Sequence, residues 1–466
     1  IQENGLPNIF NVFDLDDTKK RAEKVGWHDQ TQSVFASVEV GWKQMLYLTA
    51  TGRNDWASQI AGSPSKSFFY PSVGLSWVPS STWDLGNAFS YLKLRGSIAS
   101  VGLPFPRFLT TPTYEYDATG KIWKDKTHYP IGDLKPERTI TYEVGIDARL
   151  WKNISLSASW YSADTKNQTF DPALPPSSSY TTIYLQTGHV RNTGVELSLG
   201  YSNQWRDFGW SSNFTFSWNK NEIIDLASGA LNPVTGQPLN LSELDIKGLG
   251  KAKYILKQGG TLGDLYTTSD LKFNDNGYVE VDKACNLLLT DEGDQIYLGS
   301  VFPSENLAWR NDFRYKGINL GLLFTGRIGG ICYSATQANM DLYGVSEVSA
   351  AARDAGGVLI NGREMVDAQK WYQAIGSQSG LPQYYTYSAT NFRLQELSLG
   401  YTLPRKWFRN KMGLTVSFVG RNLWMIYCKA PFDPEAVAST GLSYQGIDYF
   451  MMPSLRSLGF NVKFEF

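Results

Sequence analysis

The chain has 466 residues and a formal net charge of −1, with 43 Lys and Arg against 44 Asp and Glu. That balance lacks the basic stripe that nucleic-acid binding requires, so no nucleic-acid partner is expected. No run of about 18 apolar residues occurs, which excludes a membrane-spanning helix but not a barrel strand, because a barrel strand shows only alternate residues to lipid.

Two further features bound the class. Aromatics make up 14% of the chain, with 15 Trp and 26 Tyr, and such rings collect at membrane–water interfaces. The cysteines are Cys285, Cys332 and Cys428, an odd number without metal-ligand spacing, so neither a disulfide framework nor a zinc site is expected. The chain begins at Ile1 with no signal peptide, as mature, cleaved or truncated material would.

Residues 1–30 are polar and charged, with DLDDTKKRAEK at 14–24, and are expected to be loop, with room for one short helix. Val34, Ala36, Val38, Val40 and Trp42 then alternate with polar or small residues, the period-two signature of a strand with one apolar face. Lys43 and Gln44 turn it into a second strand, Met45–Arg53. Loop 54–66 leads to Phe69–Val78, and a turn at 79–89 leads to Tyr91–Val101. Loop 103–137 is long and rich in proline. Next comes the clearest unit, Arg138–Tyr161. Tyr142, Val144, Ile146, Ala148 and Leu150 share one face, Trp151–Asn153 turn, and Ile154, Leu156, Ala158 and Trp160 continue it. Strands of about 9–11 residues suit a tilted bilayer crossing.

Loop 164–189 follows, then Asn192–Tyr201, a turn at Arg206 and Asp207, and Trp210–Asn219. Residues 220–304 form a long excursion with short extended pieces near Gly263–Thr268 and Tyr278–Asp282. Leu307–Tyr315 and Ile318–Ile328 form a hairpin turned by Lys316 and Gly317. Loop 329–390 holds the one helix predicted in this half, near Ala350–Asp354 or Glu364–Ala374. Asn391–Leu403, Leu414–Leu423 and Ser457–Phe466 complete thirteen strands. In Asn391–Leu403 the apolar phase slips at Gln395–Glu396, which predicts either a β-bulge or a strand that begins only at Glu396. Short and long connections alternate along the chain, as in outer-membrane barrels with short periplasmic turns and long outer loops. Thirteen is odd where such barrels usually have an even count, so the expected fold is an all-β, transmembrane antiparallel β-barrel seen in its C-terminal portion.

Several segments in series resemble SusC/RagA-type TonB-dependent outer-membrane transporters. They are LYLTATGRNDWAS (46–58), FYPSVGLSWV (69–78), LKLRGSIASVG (92–102), LKPERTITYEVGIDARLW (134–151), VRNTGVELSLGY (190–201), FRLQELSLGYTLP (392–404), GRNLWMIYCKAPFDPEA (420–436) and SLGFNVKFEF (457–466). The resemblance implies a 22-stranded barrel of which residues 31–466 are the last thirteen strands, with residues 1–30 as an extracellular loop. On this resemblance the N-terminal plug, the TonB-contact segment and the first strands are expected to lie outside this chain. It also implies a SusD-like surface lipoprotein over the mouth, TonB-driven import of glycan or peptide nutrients, and contact with outer-membrane lipid. No cofactor is implied. The apolar face of Ser457–Phe466 and its terminal aromatic are expected to serve as a signal to the insertion machinery.

Candidate ligand contacts are loop aromatics, which supply rigid area with a hydrogen-bonding tip: Tyr114, Tyr116, Trp123, Tyr180, Tyr184, Trp371, Tyr384 and Tyr385, with Tyr343 and Tyr372 beside them. Glu196, on the polar face of Asn192–Tyr201, is a further candidate, although a lumen-facing strand start, with Gly194 allowing close backbone packing, is the favoured reading of that segment. Charges on the polar faces, such as Arg95, Glu143, Asp147, Arg310, Asp312, Arg327, Arg393 and Arg421, are expected in the lumen, paired with a plug or with one another. Asn274–Gly277 with Asp282 lacks the spaced Glu of a calcium loop, so no metal is expected. His28, His128 and His189 all lie in expected loops, no Gly-x-Ser-x-Gly elbow occurs, and nothing selects a carboxylate pair from Asp164, Asp225 or Asp291. No catalytic residue is therefore expected. The alternatives are an outer-membrane barrel enzyme and a soluble carbohydrate-binding β protein.

Overall fold

A computed structural model describes residues 28–106, 109, 115–117, 122–124, 128–129, 134–170, 182–226, 237, 241–291, 293, 295–439, 441 and 444–466. The expected loop at 1–30 lies almost wholly outside the described residues, as do Tyr114 and Tyr180. One antiparallel sheet of thirteen strands dominates, each strand hydrogen-bonded to the next in chain order. Its strands are β1 (Thr31–Trp42), β2 (Leu46–Ala57), β3 (Phe68–Trp77), β4 (Phe89–Leu103), β5 (Glu137–Leu150), β6 (Ile154–Phe170) and β7 (Leu185–Trp205). They continue with β8 (Phe208–Asp225), β9 (Glu305–Tyr315), β10 (Ile318–Ile328), β11 (Asn391–Leu403), β12 (Gly413–Cys428) and β13 (Ser457–Glu465). All thirteen expected strands are present in the expected order.

Alternation decides which face each side chain takes. Leu75, Val144, Trp160 and Val195 fall on one face and are exposed, Val144 by 55%. Such a surface is costly in water and natural in lipid. The register joins Ser76, Arg95, Gly145, Ser159, Glu196, Ser217, Asn306 and Arg327 into one row across the opposite, polar face. The edge strands β1 and β13 are exposed along their whole length. Among the described residues β1 pairs with β2, and β13 with β12.

The short connections are tight. Met45 N donates to Trp42 O at 2.9 Å, and Lys43 and Gln44 both take left-handed backbone (φ 49 and 56), the type I′ geometry that matches strand twist. The phase slip is a bulge: Glu396 opposes Leu323 and Leu394 opposes Phe324, leaving Gln395 without a partner across from β10.

The strands run longer than the lipid-crossing pattern suggested. β6 continues to Phe170, and β7 spans 21 residues from Leu185. Their surplus residues carry the sheet beyond the length a bilayer needs. Above it the loops build a cap with its own apolar core, drawn from widely separated segments and including Val190, Ile223, Leu256, Tyr333, Tyr372 and Ile447. The single helix expected in loop 329–390 is corrected to three: α1 (Ala335–Leu342), α2 (Glu347–Asp354) and α3 (Ala368–Ile375). Each is N-capped by a side chain, Ser334, Ser346 and Asp367 respectively, which accepts from backbone N–H groups of the first turn. At eight residues each they are too short for a strong 3.6-residue periodicity, and packing into the cap stabilises them.

Candidate functional site: lumen wall and mouth

The polar face of the sheet is an interlocked surface. Arg95 pairs with Glu143 and reaches Asp147 at 3.6 Å, and Asp147 accepts from Ser157 Oγ at 2.7 Å. Arg310 bridges Asp312 at 2.9 Å and Glu396 at 3.5 Å, while Arg421 reaches Glu396 at 3.0 Å. Tyr161 OH donates to Asn219 at 3.0 Å, and Asn221 Nδ2 donates to Asn192 at 3.0 Å. Thus Asn192 is engaged within the wall.

Glu196 lies in an open groove of about 360 Å³ whose polar lining includes Arg95, Ser157, Ser159, Ser198, Ser217 and Asn306. Hydroxyls and one amide dominate it, a lining that can pass hydrogen bonds to a polar solute. A second groove, of about 400 Å³, is lined by Phe35, Arg53, Tyr70 and Ser100 among others. Asp55 organises it: Arg53 Nε donates at 2.7 Å and Tyr70 OH at 2.6 Å. This Arg–Asp–Tyr cluster was not anticipated, though GRNDW contains both charges. The signal was the i, i+2 spacing of Arg53 and Asp55, which puts them on one strand face.

The mouth aromatics separate into groups. Trp371 on α3 and Tyr384 meet edge to face, with ring centroids 6.3 Å apart and planes at 83°. Beside them Gln383 Nε2 donates to Asp270 Oδ1 at 2.7 Å. Burial, together with the Asp270 carboxylate, pushes the Tyr384 hydroxyl up to about 12. Tyr384 is 37% exposed, so this pair offers aromatic edges next to an amide and a carboxylate. Tyr385, its neighbour, points the other way into the cap core at 3% exposure, and burial pushes its hydroxyl far above the ordinary tyrosine range. Tyr372 is likewise a core residue, whereas Tyr343 is exposed. Tyr184 packs half-buried against a second small core of Ile60, Phe105 and Leu134. Tyr116 and Trp123 stand opposite each other across a short hairpin, Glu115–Asp117 with Ile122–Lys124. The structure therefore joins Trp371 with Tyr384 and places Glu196 apart from them, on the wall.

Asn274 and Asp282 use their side-chain oxygens to close turns. Asn274 Oδ1 accepts from Asn276 N and Tyr278 N, and Asp282 Oδ1 from Ala284 N and Asn286 N. This accounts for the faint calcium-loop pattern as turn chemistry.

The last long loop is fastened to the wall by Arg393, which is 2% exposed. Its guanidinium meets Asp433 at 2.9 Å and Glu435 at 3.2 Å, and donates to Asn391 Oδ1 from two nitrogens, both at 3.1 Å. Burial alone would raise the Asp433 carboxyl, but hydrogen bonds from Arg393, Ser454 and Glu435 N outweigh it and hold the group below its ordinary range.

Residues 5–302 match the family model described as "TonB dependent receptor-like, beta-barrel". TonB-dependent receptor P3 of Formosa agariphila is 24% identical over 474 residues, covering 93% of this chain and 45% of that protein. TonB-dependent receptor P26 of the same organism is 23% identical over 512 residues, covering 99% and 49%. The chain thus spans about half the length of the curated relatives it matches. Among solved structures, the RagAB peptide importer in its "closed-closed" state is similar with a TM-score of 0.69 at 20% identity, covering 93% of this chain and 47% of that one. Its "open-open" state gives a TM-score of 0.66 at 19% identity, covering 94% and 46%. With an apolar outer face, a polar inner face and a family match over more than half its length, this chain belongs to the TonB-dependent receptor β-barrel family of the outer membrane.

Proposed function

We propose that this chain forms wall and mouth of an importer that draws peptide or glycan nutrients across the outer membrane, powered through TonB and working with a SusD-like surface lipoprotein. The observation that carries the reading is a polar, hydrogen-bonding wall roofed by a cap that bears exposed rings. The TonB contact and the plug are assigned to a part of the full protein outside this chain, and further strands are assigned to the open edges of β1 and β13. Unpaired backbone in hydrocarbon costs several kcal/mol per group, which favours such completion. A barrel enzyme draws less support. Asp164, one of the carboxylates considered, is already committed to His189 at 2.7 Å and Arg191 at 2.9 Å.

The cap also suggests where the lipoprotein docks. Tyr343, Val345 and Val348, near the α1–α2 turn, and Leu359 with Met365, opposed on a hairpin, are all exposed. Deleting loop 329–390 would remove Tyr333, Tyr372 and Tyr385 from the cap core, so point variants give the sharper test. In the intact transporter, Val345→Glu with Leu359→Glu should abolish lipoprotein co-purification and depress uptake while heat-modifiable gel migration is retained. Unchanged co-purification and uptake would overturn the docking surface. For cargo, uptake of a labelled oligopeptide and of a labelled oligosaccharide is compared in cells with and without TonB. Loss of a ring contact is worth about 0.5–1.5 kcal/mol, so Trp371→Ala or Tyr384→Ala should raise half-saturation about 2- to 12-fold for the true cargo.

A further inference from the structure

We infer that the rim formed by the short turns is a binding surface for the phosphates of anionic phospholipids in the inner leaflet of the outer membrane. This rests on the orientation proposed above, with the long loops outside and the short turns in the periplasm.

The first observation is a repeated dipeptide. Four short turns open with an aromatic followed at once by a cation: Trp42-Lys43, Trp151-Lys152, Trp205-Arg206 and Tyr315-Lys316. The topology brings all of them to one end of the sheet. Their rings are 56%, 61%, 45% and 48% exposed.

The second observation is conformational. Each of these cations sits in left-handed backbone, with φ of 49°, 68°, 49° and 46° for Lys43, Lys152, Arg206 and Lys316. Hairpin turns usually place Asn, Asp or Gly there, because a Cβ in that region meets the following carbonyl. Each of these turns thus carries a charged side chain at a position where Asn, Asp or Gly would relieve the backbone.

The third is charge. The turn between β11 and β12 adds Arg405, Lys406, Arg409 and Lys411 around Trp407, which is 63% exposed. Across the six short connections eight residues are Lys or Arg and only Asp84 and Asp207 are acidic, in a chain whose net charge is −1. Asp207 lies 4.0 Å from Lys316, and Glu465 at the end of β13 lies 3.3 Å from Arg405; all four side chains are about half exposed or more, so water screens both pairs, and the remaining cations leave the rim positive.

Lipid is the partner because two of the turn cations stand over membrane-facing rings. Lys43 Nζ lies 5.1 Å from the Trp42 ring centroid and Lys316 Nζ 5.3 Å from that of Tyr315. The rings continue an outward aromatic belt in which Trp205 stacks on Phe208 at 5.8 Å and Trp210 on Phe313 at 6.1 Å. Trp and Tyr settle at headgroup depth, and an ammonium over such a ring stands at the level of the phosphates. A soluble acidic partner would need the charges but not the belt.

The test uses the intact transporter in mild detergent, titrated with phosphatidylglycerol or phosphatidylcholine and read by native mass spectrometry. Wild type should retain phosphatidylglycerol about tenfold better, and the variant K43Q/K152Q/R206Q/K316Q should lose most of that preference while binding phosphatidylcholine as before. Added salt should erode the wild-type preference. If the quadruple variant fails to assemble, Lys152→Gln and Lys316→Gln singly should each lose about two- to fivefold. No preference in wild type, or one that survives neutralisation, overturns the inference. The orientation has its own readout. An impermeant thiol reagent on whole cells should label exposed Cys285, on the opposite loop side, but not Gln44→Cys placed in a C285S background. Labelling of Gln44→Cys would refute the orientation, and the inner leaflet with it, whatever the lipid titration shows.

Discussion

Replacing Arg393 by alanine should release the last long loop from the wall. The guanidinium is nearly inaccessible and holds two carboxylates, Asp433 at 2.9 Å and Glu435 at 3.2 Å. Two donors also fix Asn391 Oδ1, each at 3.1 Å. Removing one partner of such a pair strands a buried charge and costs about 3–5 kcal/mol, more than the pair itself is worth. Lysine restores the charge but not the forked geometry, so Arg393→Lys should recover only part of that loss. The strain has somewhere to go, because the same loop feeds Ile447, wholly buried, into the cap core. Hydrogen exchange read by mass spectrometry should therefore show loss of protection across 429–456 and in Ile331–Ser334, which pairs with Ile447–Asp448, while β5 and β6 keep theirs. A pH signature accompanies it. The folded Asp433 carboxyl titrates below its ordinary value, so its stabilisation is present above about pH 3.9 and is lost as pH falls through the lower folded-state value. Wild type should lose protection of this loop on acidification, and Arg393→Ala should show that loss already at neutral pH. Unchanged exchange in 429–456 at neutral pH would refute the reasoning.

Three other outcomes are expected. Val144→Arg, on the exposed apolar face, should cost about 2–4 kcal/mol or block insertion, whereas Ser159→Arg in the polar row should assemble normally; equal tolerance, measured by heat-modifiable migration, would remove the lipid-facing assignment. Deleting Gln395 erases the bulge and turns Arg393 and its upstream neighbours to the opposite face, so assembled barrel should fall sharply in outer-membrane fractions. Tyr333 is fully buried and its hydroxyl finds no hydrogen-bond partner among the described residues, so Tyr333→Phe should leave the cap's thermal unfolding unchanged or raise it; a marked destabilisation would mean that the hydroxyl is paired.

What was legible in the sequence depended on the range of the forces involved. The wall was readable because a strand between lipid and lumen must alternate at every residue, and Val144, Ile146 and Ala148 do so without interruption. The bulge was readable for the same reason, since one unpaired residue inverts the phase and Leu394 and Leu397 record it. The tops of β6 and β7 were not, because above the membrane neither face is obliged to be apolar. The helices were under-counted because eight residues carry little periodicity, and their clearest marks, the caps Ser334, Ser346 and Asp367, are common in loops. The cap core could not be foreseen at all: Tyr333 and Ile447 are over a hundred positions apart, and only the side-by-side pairing of β10, β11 and β12 brings the loops that carry them together. The site was legible in composition and not in arrangement. Trp371 and Tyr384 were both candidates, but their pairing was not visible, and nothing local distinguished exposed Tyr384 from buried Tyr385.

The wall settles many of its charges internally, and that bears on how an importer of this form would handle cargo. Arg95 faces Glu143 and Asp147, and Arg310 and Arg421 share Glu396, so cations and carboxylates meet along the same rows. A surface so paired has little excess field with which to hold a charged solute. The uncharged polar groups that remain open around Glu196, beside apolar ones such as Leu197 and Phe216, are hydroxyls and an amide, contributed by Ser157, Ser159, Ser217 and Asn306 among others. Such groups replace hydration water without binding tightly, and movement through a pore requires sites weak enough to be left. Rigid rings do the opposite: Trp371 and Tyr384 offer fixed apolar area at low entropic cost. Under the proposed function, capture therefore belongs to the cap and release to the wall, and the two follow from where the fold puts aromatic residues and where it puts serines.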